Sequence, residues 1–298
     1  MQLKVAIFCL TVLLQYVSST QSAPNKSFMV CGDSKILLVD YIASTDTDPK
    51  IIWQWDAHDD MALPEVYRRN LFETVDDCKS RDNGRQVLVS SSSGAVAIID
   101  TESKRAKFYT RVPNAHSVEL LPYNRLVAAA SVSGEGNKLM LFDIAVSNST
   151  SLYTTPLDSA HGLVWDEKRN CLYALGYNVS QEYNMTSSDA LRLNRQWPIK
   201  GIDGHDLQMV PGGNALFVTE DTGAWKFNLT DYNFAKIEGF PDTNEIKSLG
   251  QDATLQYIYT KPEESYWTYH VQFFNPSRVI AFPDMHVYKA RWFNVTLS

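Results

Sequence analysis

The chain has 298 residues, 44% of them hydrophobic, and a formal net charge of −7. It contains no run of basic residues, which argues against nucleic acid as a partner, and no apolar stretch is long enough to span a membrane. The 15 Tyr, 13 Phe and 7 Trp residues indicate a large all-β core or a sugar-stacking surface, and composition does not separate the two.

The first residues predict a signal peptide. Lys4 precedes the apolar run 5–14, and small residues follow up to Ser19. A positive start, a short apolar core and small residues before a cleavage site are typical of a secretory leader. We therefore expect residues 1–19 to be removed, residues 20–298 to form a single domain, and the protein to be secreted into the extracellular space.

Six Asn-X-Ser/Thr motifs agree with this destination. They begin at Asn25, Asn148, Asn178, Asn184, Asn228 and Asn294. Such motifs are acceptors for N-linked glycans in secreted proteins. We predict a glycoprotein whose modified residues lie on exposed loops or hairpin tips.

Three cysteines remain after the predicted cleavage: Cys31, Cys78 and Cys171. They are too few for a disulfide scaffold. Either Cys31 pairs with Cys78 and leaves Cys171 free in a strand, or all three are small buried residues.

Short apolar segments separated by turn residues predict strands along the whole chain. The first group comprises 28–31, 35–41 and 51–55, and an insertion at 57–75 follows, with a helix predicted over 64–71. The second group starts at Asp76 and continues with 85–90, 95–100 and 106–112. The third group is the clearest, with strands at 116–122, 125–131, 138–144 and 151–157.

The later groups repeat this frame. The fourth starts at His161, continues with 171–177 and ends near Trp197; the fifth starts at His205 and continues with 215–220 and 224–229. The sixth starts near Glu245 and continues with 255–260, 267–274 and 278–282. The first group lacks one strand, which the C-terminal segment 285–293 can supply.

Three histidines occupy the same position in this repeat. His116 is 45 residues before His161, which is 44 residues before His205, and each opens an apolar strand. A period in the 40s with several short strands per unit is typical of a β-propeller. We predict an all-β propeller of six four-stranded blades, closed by the C-terminal strand so that no open sheet edge remains.

Inner strands of a propeller begin at the mouth of its central channel, so the repeat predicts a polar ring there. Its predicted members are Asp76, His116, His161, His205, Glu245 and a residue near His286, with Asp77, Lys79, Asp206 and Lys247 close by. Three interpretations remain open. The histidines bind a divalent metal, they share acid–base work with a neighbouring lysine or carboxylate, or the ring only hydrogen-bonds neighbouring strands and fills the channel.

A hairpin in the sixth group carries a second set of candidates. Residues 259–268 contain two carboxylates, a lysine and several aromatic rings, and Lys261, Glu264 and Trp267 are the candidates for holding a sugar ring. The alternative is an exposed hairpin with charged tips.

Several long motifs agree in order and spacing with a known family. VCGDSKILLVD, SSSSGAVAIID, VPNAHSVELLPYNRLVAAAS, SAHGLVWDEKRNCLYALGY and YTKPEESYWT resemble an uncharacterised family of exported β-propeller proteins from gut and soil bacteria and from fungi, a domain of unknown function. The resemblance spans the mature chain and implies a WD40-like propeller, but it brings no activity. The clustered inner-strand histidines are also similar to those of the propeller-fold oligogalacturonate lyases. No motif is shared, so this similarity is an analogy at the level of the fold.

These features favour a metal-assisted carbohydrate-active enzyme, a lyase or hydrolase, with a glycan or small-molecule ligand at the funnel mouth. In this hypothesis His116, His161 and His205 bind the metal or transfer protons, Lys247 or Lys79 offsets a substrate carboxylate, and Asp76, Asp206 and Glu245 complete the ring. The acidic net charge argues mildly against a polyanionic substrate. The alternatives are a non-catalytic glycan- or protein-binding propeller and a small-molecule enzyme of secondary metabolism.

Overall fold

The computed structural model describes residues 26–187, 189–241 and 243–293. Within these residues 24 strands form six four-stranded antiparallel sheets, the blades of a β-propeller, which confirms the predicted fold. From the axis outward, blade one consists of β24 (Val287–Trp292), β1 (Ser27–Gly32), β2 (Lys35–Asp40) and β3 (Lys50–Asp56). Blade two consists of β4 (Val75–Arg81), β5 (Gln86–Ser91), β6 (Ala95–Asp100) and β7 (Arg105–Arg111). Blade three consists of β8 (Ala115–Leu121), β9 (Arg125–Ala130), β10 (Lys138–Asp143) and β11 (Tyr153–Pro156).

The last three blades have the same layout. Blade four consists of β12 (Gly162–Asp166), β13 (Cys171–Leu175), β14 (Val179–Ser187) and β15 (Ala190–Pro198). Blade five consists of β16 (Asp206–Met209), β17 (Ala215–Glu220), β18 (Gly223–Asn228) and β19 (Phe234–Lys236). Blade six consists of β20 (Ser248–Gln251), β21 (Tyr257–Thr260), β22 (His270–Phe274) and β23 (Arg278–Ala281).

The C-terminal strand closes the ring, as the sequence predicts. β24 pairs antiparallel with β1, placing Phe28 opposite Trp292 and Val30 opposite Ala290. Blade one therefore contains both ends of the described chain. β24 pairs with β1 over five residue pairs with one bulge at Tyr288, so the first blade is completed at the junction of the two ends.

The insertion after blade one contributes buried side chains, among them Tyr67 and Phe72, to the core between blades one and two. It contains a 3-10 turn at Ala57–Asp59 and a π-helical turn at Tyr67–Leu71, inside the predicted helix; a third short turn, Asp82–Gly84, follows β4. Asp60 is buried and its carboxylate accepts hydrogen bonds from the Trp55 indole (3.1 Å) and the Ala106 amide (2.7 Å). These bonds fix the insertion across blades one and two.

The core lies between neighbouring blades. Leu88, Val96 and Ile98 of blade two pack with Val118 and Leu126 of blade three in one buried cluster. Facing sheets bury the apolar side of each strand in this way. Six such interfaces hold the inner strands, and thus the channel side chains, in fixed positions.

The predictions about the signal peptide and the glycosylation motifs fall partly outside the described residues. The predicted signal peptide, Asn25 and Asn294 lie outside the described residues. The other four glycosylation-motif asparagines, Asn148, Asn178, Asn184 and Asn228, are exposed. The three described cysteines are buried free thiols. No helix in the described ranges has the length and apolar character needed to cross a membrane.

Candidate functional site

Six equivalent side chains, one at the start of each inner strand, meet at one end of the channel. The strand register identifies them. In blades one to three the residue lies at a bulge, between two residues of the inner strand that pair with the next strand. In blades four to six its amide donates to the carbonyl of the residue that pairs with its successor in the chain. We call this set the mouth ring, and its members are Tyr288, Asp76, His116, His161, His205 and Lys247.

The register corrects two members of the predicted ring. Lys247, not Glu245, is the blade-six equivalent of the histidines, and Tyr288 takes the blade-one position instead of a residue beside His286. Glu245 is exposed, with a left-handed φ of 55°, like Asp203 (54°) two residues before His205. In blades three to six a polar residue with a left-handed φ, two positions before the ring member, therefore turns the chain into the inner strand.

The three histidines are neighbours in space. The rings of His116 and His161 stack with centroids 4.2 Å apart, and His161 meets His205 edge-on at 6.0 Å. On its other side, the ring of His116 lies 5.8 Å from that of Tyr288. The sequence prediction that the three histidines converge is confirmed.

His161 is held as a neutral imidazole with one nitrogen free. Its Nδ1 donates to the Ser159 carbonyl at 2.8 Å, which leaves the lone pair on Nε2. Burial lowers the pKa of His161 to about 4, despite the opposing effect of that carbonyl. The side chain is therefore a proton acceptor, not a cation, at neutral pH.

His116 and Asp76 form a buried couple. The Nε2 of His116 lies 3.0 Å from Asn114 Oδ1, and its Nδ1 lies 3.5 Å from Asp76 Oδ1 with no hydrogen-bond partner. Burial is the main cause that lowers the pKa of His116 well below its usual value and raises the pKa of Asp76 to about 7. The couple therefore carries one exchangeable proton near neutral pH.

Lys247 is a buried ammonium that has no carboxylate partner among the described residues. It is 6% exposed, and its Nζ makes one hydrogen bond, at 2.8 Å to His205 Nε2. No described carboxylate oxygen lies within 4.0 Å of it. Burial lowers its pKa, although Asp221, Asp203 and Glu245 counteract this at longer range. Its remaining donors are available to a ligand.

Two acidic residues beside His205, Asp203 and Asp221, were not among the site residues predicted from the sequence. Asp221 Oδ1 lies 2.8 Å from His205 Nε2, and ligand atoms of Asp203, His205 and Asp221 all lie within 4.8 Å of one another. Burial raises the pKa of both carboxyls, and Asp203 raises that of Asp221 further. Asp203 follows from the repeat offset, but Asp221 comes from the β17–β18 turn, which the inner-strand repeat does not reveal.

Two predicted substrate-binding residues lie deeper in the channel. Lys79 Nζ donates to Ser117 Oγ (2.9 Å) and the Leu163 carbonyl (2.6 Å), and Asp206 binds Arg291 at 2.6 Å. They belong to a buried ionic group that we call the plug, formed by Asp77, Lys79, Glu119, Asp206, Lys289 and Arg291. The plug separates the mouth ring from a cavity of about 780 Å³ at the opposite end.

The predicted sugar-binding hairpin lies beside the mouth ring. The Trp267 ring is 5.5 Å from that of Tyr288. Lys261 Nζ donates to Thr243 Oγ1 (2.7 Å), and Glu264 accepts from the Tyr269 hydroxyl (2.8 Å). The structure therefore brings Trp267 to the mouth, whereas Glu264 is engaged within the hairpin.

Comparisons with known proteins agree with the fold and leave the activity open. A family model described as a family of unknown function (DUF6528) matches residues 15–298. No curated protein is similar enough in sequence to match. Among solved structures, the crystal structure of the WD40 β-propeller domain of Doa1 is similar, with a TM-score of 0.57 and 10% identity over 78% of this chain and 71% of that one. At this identity the likeness shows the fold alone.

Proposed function

The chain belongs to this family of unknown function, and since the family has no assigned activity, we propose from the site that the mouth ring binds and cleaves a uronate-containing glycan. The observation that carries the proposal is Lys247. A buried ammonium without a carboxylate partner is costly in the free protein. A ligand carboxylate placed there would receive its free donors and offset that cost.

Paired carboxyls supply acid and base. Asp203 and Asp221 lie close together with raised pKa values, so one can donate a proton while the other accepts. His161 adds a neutral acceptor. In an eliminating enzyme, Lys247 neutralises the uronate carboxylate, the base removes the adjacent carbon-bound proton, and the acid protonates the leaving glycosidic oxygen. This makes a lyase the favoured reaction and a hydrolase the alternative.

Digestion of pectate, alginate and glucuronan by the purified protein tests the reaction. A lyase gives the ultraviolet absorbance of an unsaturated uronate, and a hydrolase gives new reducing ends without it. We expect Lys247→Met to lower kcat/KM at least about 100-fold, the loss of one charge-assisted contact, and exposed Lys226→Met to change nothing. Binding without any product would leave a non-catalytic glycan-binding propeller, and wild-type activity in Lys247→Met would contradict the proposal.

A divalent metal is the second candidate, favoured by the cluster of Asp203, His205 and Asp221. Two carboxylates and an imidazole are a suitable donor set, and the neutral state of His205, whose pKa burial lowers to about 2, suits a ligand. However, Lys247 Nζ lies 2.8 Å from the same Nε2, so an ion would have to displace this ammonium. Elemental mass spectrometry of the wild type and of Asp221→Asn decides: a stoichiometric metal lost in the variant supports the site.

We place this activity outside the cell. The support is the leader-like segment 1–19 and the four exposed glycosylation motifs. Expression from a eukaryotic secretory host followed by glycosidase treatment tests this, since a glycoprotein loses mass and a non-glycosylated chain does not.

A further inference from the structure

The hairpin between β21 and β22 presents an exposed aromatic ring and a second unpaired cation beside the mouth ring. Tyr266 is 64% exposed, and Lys247 Nζ lies 6.0 Å from its ring centroid. Lys261 donates only to the neutral oxygens of Thr243 and Asn244, at 2.7 and 3.1 Å. No carboxylate within the described ranges lies within 4.0 Å of Lys261.

Hydrogen bonds hold this hairpin in one conformation. The Glu263 carboxylate accepts from the Thr268 hydroxyl (2.7 Å) and the Tyr269 amide (2.9 Å) and lies 2.8 Å from His270 Nδ1. The backbones of Glu264 and Trp267 bond to each other across the tip. These bonds hold the backbone on both sides of Tyr266, so binding to its ring loses less conformational entropy than binding to a ring on an unbonded loop.

We infer that Tyr266 and Lys261 form a subsite for a second sugar residue, so that the ligand is an acidic oligosaccharide and not a single sugar acid. This inference rests on the proposed function, because Lys247 holds the first carboxylate. A neighbouring ring stacks on Tyr266, and a second carboxylate reaches Lys261. An exposed aromatic ring 6.0 Å from one ammonium group, in the same hairpin as a second one, matches a chain that alternates apolar ring faces with carboxylates.

Calorimetric titration with mono-, di- and triuronates of the pectate, alginate and glucuronan series tests the subsite. We expect wild-type affinity to rise from the monomer to the dimer. Tyr266→Ala and Lys261→Met should each weaken dimer binding about tenfold, the effect of one stacking or charged contact, and leave monomer binding unchanged. Tyr123→Ala, which removes a ring that is 69% exposed in the β8–β9 turn, is the matched control.

The outcomes separate the subsite from the proposed function. Monomer binding that Lys247→Met abolishes, together with equal affinity of wild type and Tyr266→Ala for the dimer, overturns the subsite alone. Failure of the wild type to bind any uronate overturns both. Loss of affinity in Tyr266→Ala that is the same for monomer and dimer also contradicts a second-residue subsite.

Discussion

The mouth ring and the plug lie on the same inner strands, one to three residues apart, yet their charges are handled in opposite ways. In the plug each cation has a carboxylate: Lys79 lies 3.6 Å from Asp77, Lys289 lies 3.3 Å from Asp206, and Arg291 bonds both acids at 2.6 Å. In the mouth ring Lys247 has no such partner among the described residues.

This difference in charge pairing indicates that the plug supports the fold and that the mouth ring is available for binding. Removing one partner of a buried ion pair is strongly destabilising because the other charge is left uncompensated, and a buried charge without a partner already carries that cost in the free protein. The mouth ring also contains two buried nitrogens, His116 Nδ1 and His205 Nδ1, that find no hydrogen-bond partner in the part of the chain that the structure describes. Polar groups in this state are what a ligand can satisfy, so the mouth and not the plug is the candidate site.

Breaking the plug should have the largest effect on stability. Asp206→Asn removes the carboxylate that Arg291 and Lys289 share and leaves two buried cations undercompensated. We expect the free energy of unfolding to fall by about 3–5 kcal/mol, measured by urea denaturation at neutral pH.

An exposed ion pair provides the control for this change. Asp82 lies 2.5 Å from Arg85 at the surface, where the two side chains are 42% and 73% exposed, and Asp82→Asn should lower the free energy of unfolding by less than about 1 kcal/mol. Equal losses in the two variants would show that the plug is no more important to stability than a surface pair.

The comparison also shows what the sequence could and could not predict. The period of the histidines together with the repeated groups of short strands was enough to predict six blades, the swapped C-terminal strand and four of the six ring positions, because equivalent residues of a repeat occupy equivalent places. Lys79 and Asp206 look like ring residues in sequence, since both are polar and lie near an inner-strand start. Only the strand register shows that their side chains pair with Glu119 and Arg291 deeper in the channel.

Asp221 and Tyr266 could not be placed from the repeat. They lie in turns between the second and third strands of blades five and six, and such turns vary in length and sequence without changing the blade. Asp221 reaches His205 within blade five and Tyr266 reaches Lys247 within blade six, so each contact depends on how a turn folds back over the start of its own inner strand. Three-dimensional contacts of this kind leave no period in the chain.

Lowering the pH should reduce the free energy of unfolding through the neutral histidines of the mouth ring. The pKa of His161 is about 4 in the folded protein and about 6.5 in the unfolded chain. Between these values the unfolded state binds the proton and the folded state does not, so stability falls as the pH falls. Asp76, with a folded pKa of about 7, acts in the opposite direction, so the effect of His161 must be taken as a difference between two proteins.

We expect wild type to lose about 2 kcal/mol more than His161→Asn on going from pH 6.5 to about pH 4.5. Urea denaturation of both proteins at several pH values gives the difference, in which Asp76 and the other histidines largely cancel. Parallel stability curves for the two proteins would show that His161 is protonated as easily in the fold as in the unfolded chain, and it would then be a cation and not an acceptor.

The smallest effect on stability is expected where the effect on binding is largest. Lys247→Met removes the unpaired ammonium and keeps a side chain of similar length that fits a buried position. Because no close ion pair is lost, we expect the free energy of unfolding to change by less than about 1 kcal/mol, or to rise. Thermal and urea denaturation of Lys247→Met and Asp206→Asn, side by side, measure this. A loss of 3 kcal/mol or more in Lys247→Met would mean that Asp203 and Asp221 stabilise its charge as fully as the plug stabilises Lys289. In that case the mouth ring would be a second plug, and the argument for a ligand carboxylate at Lys247 would fail.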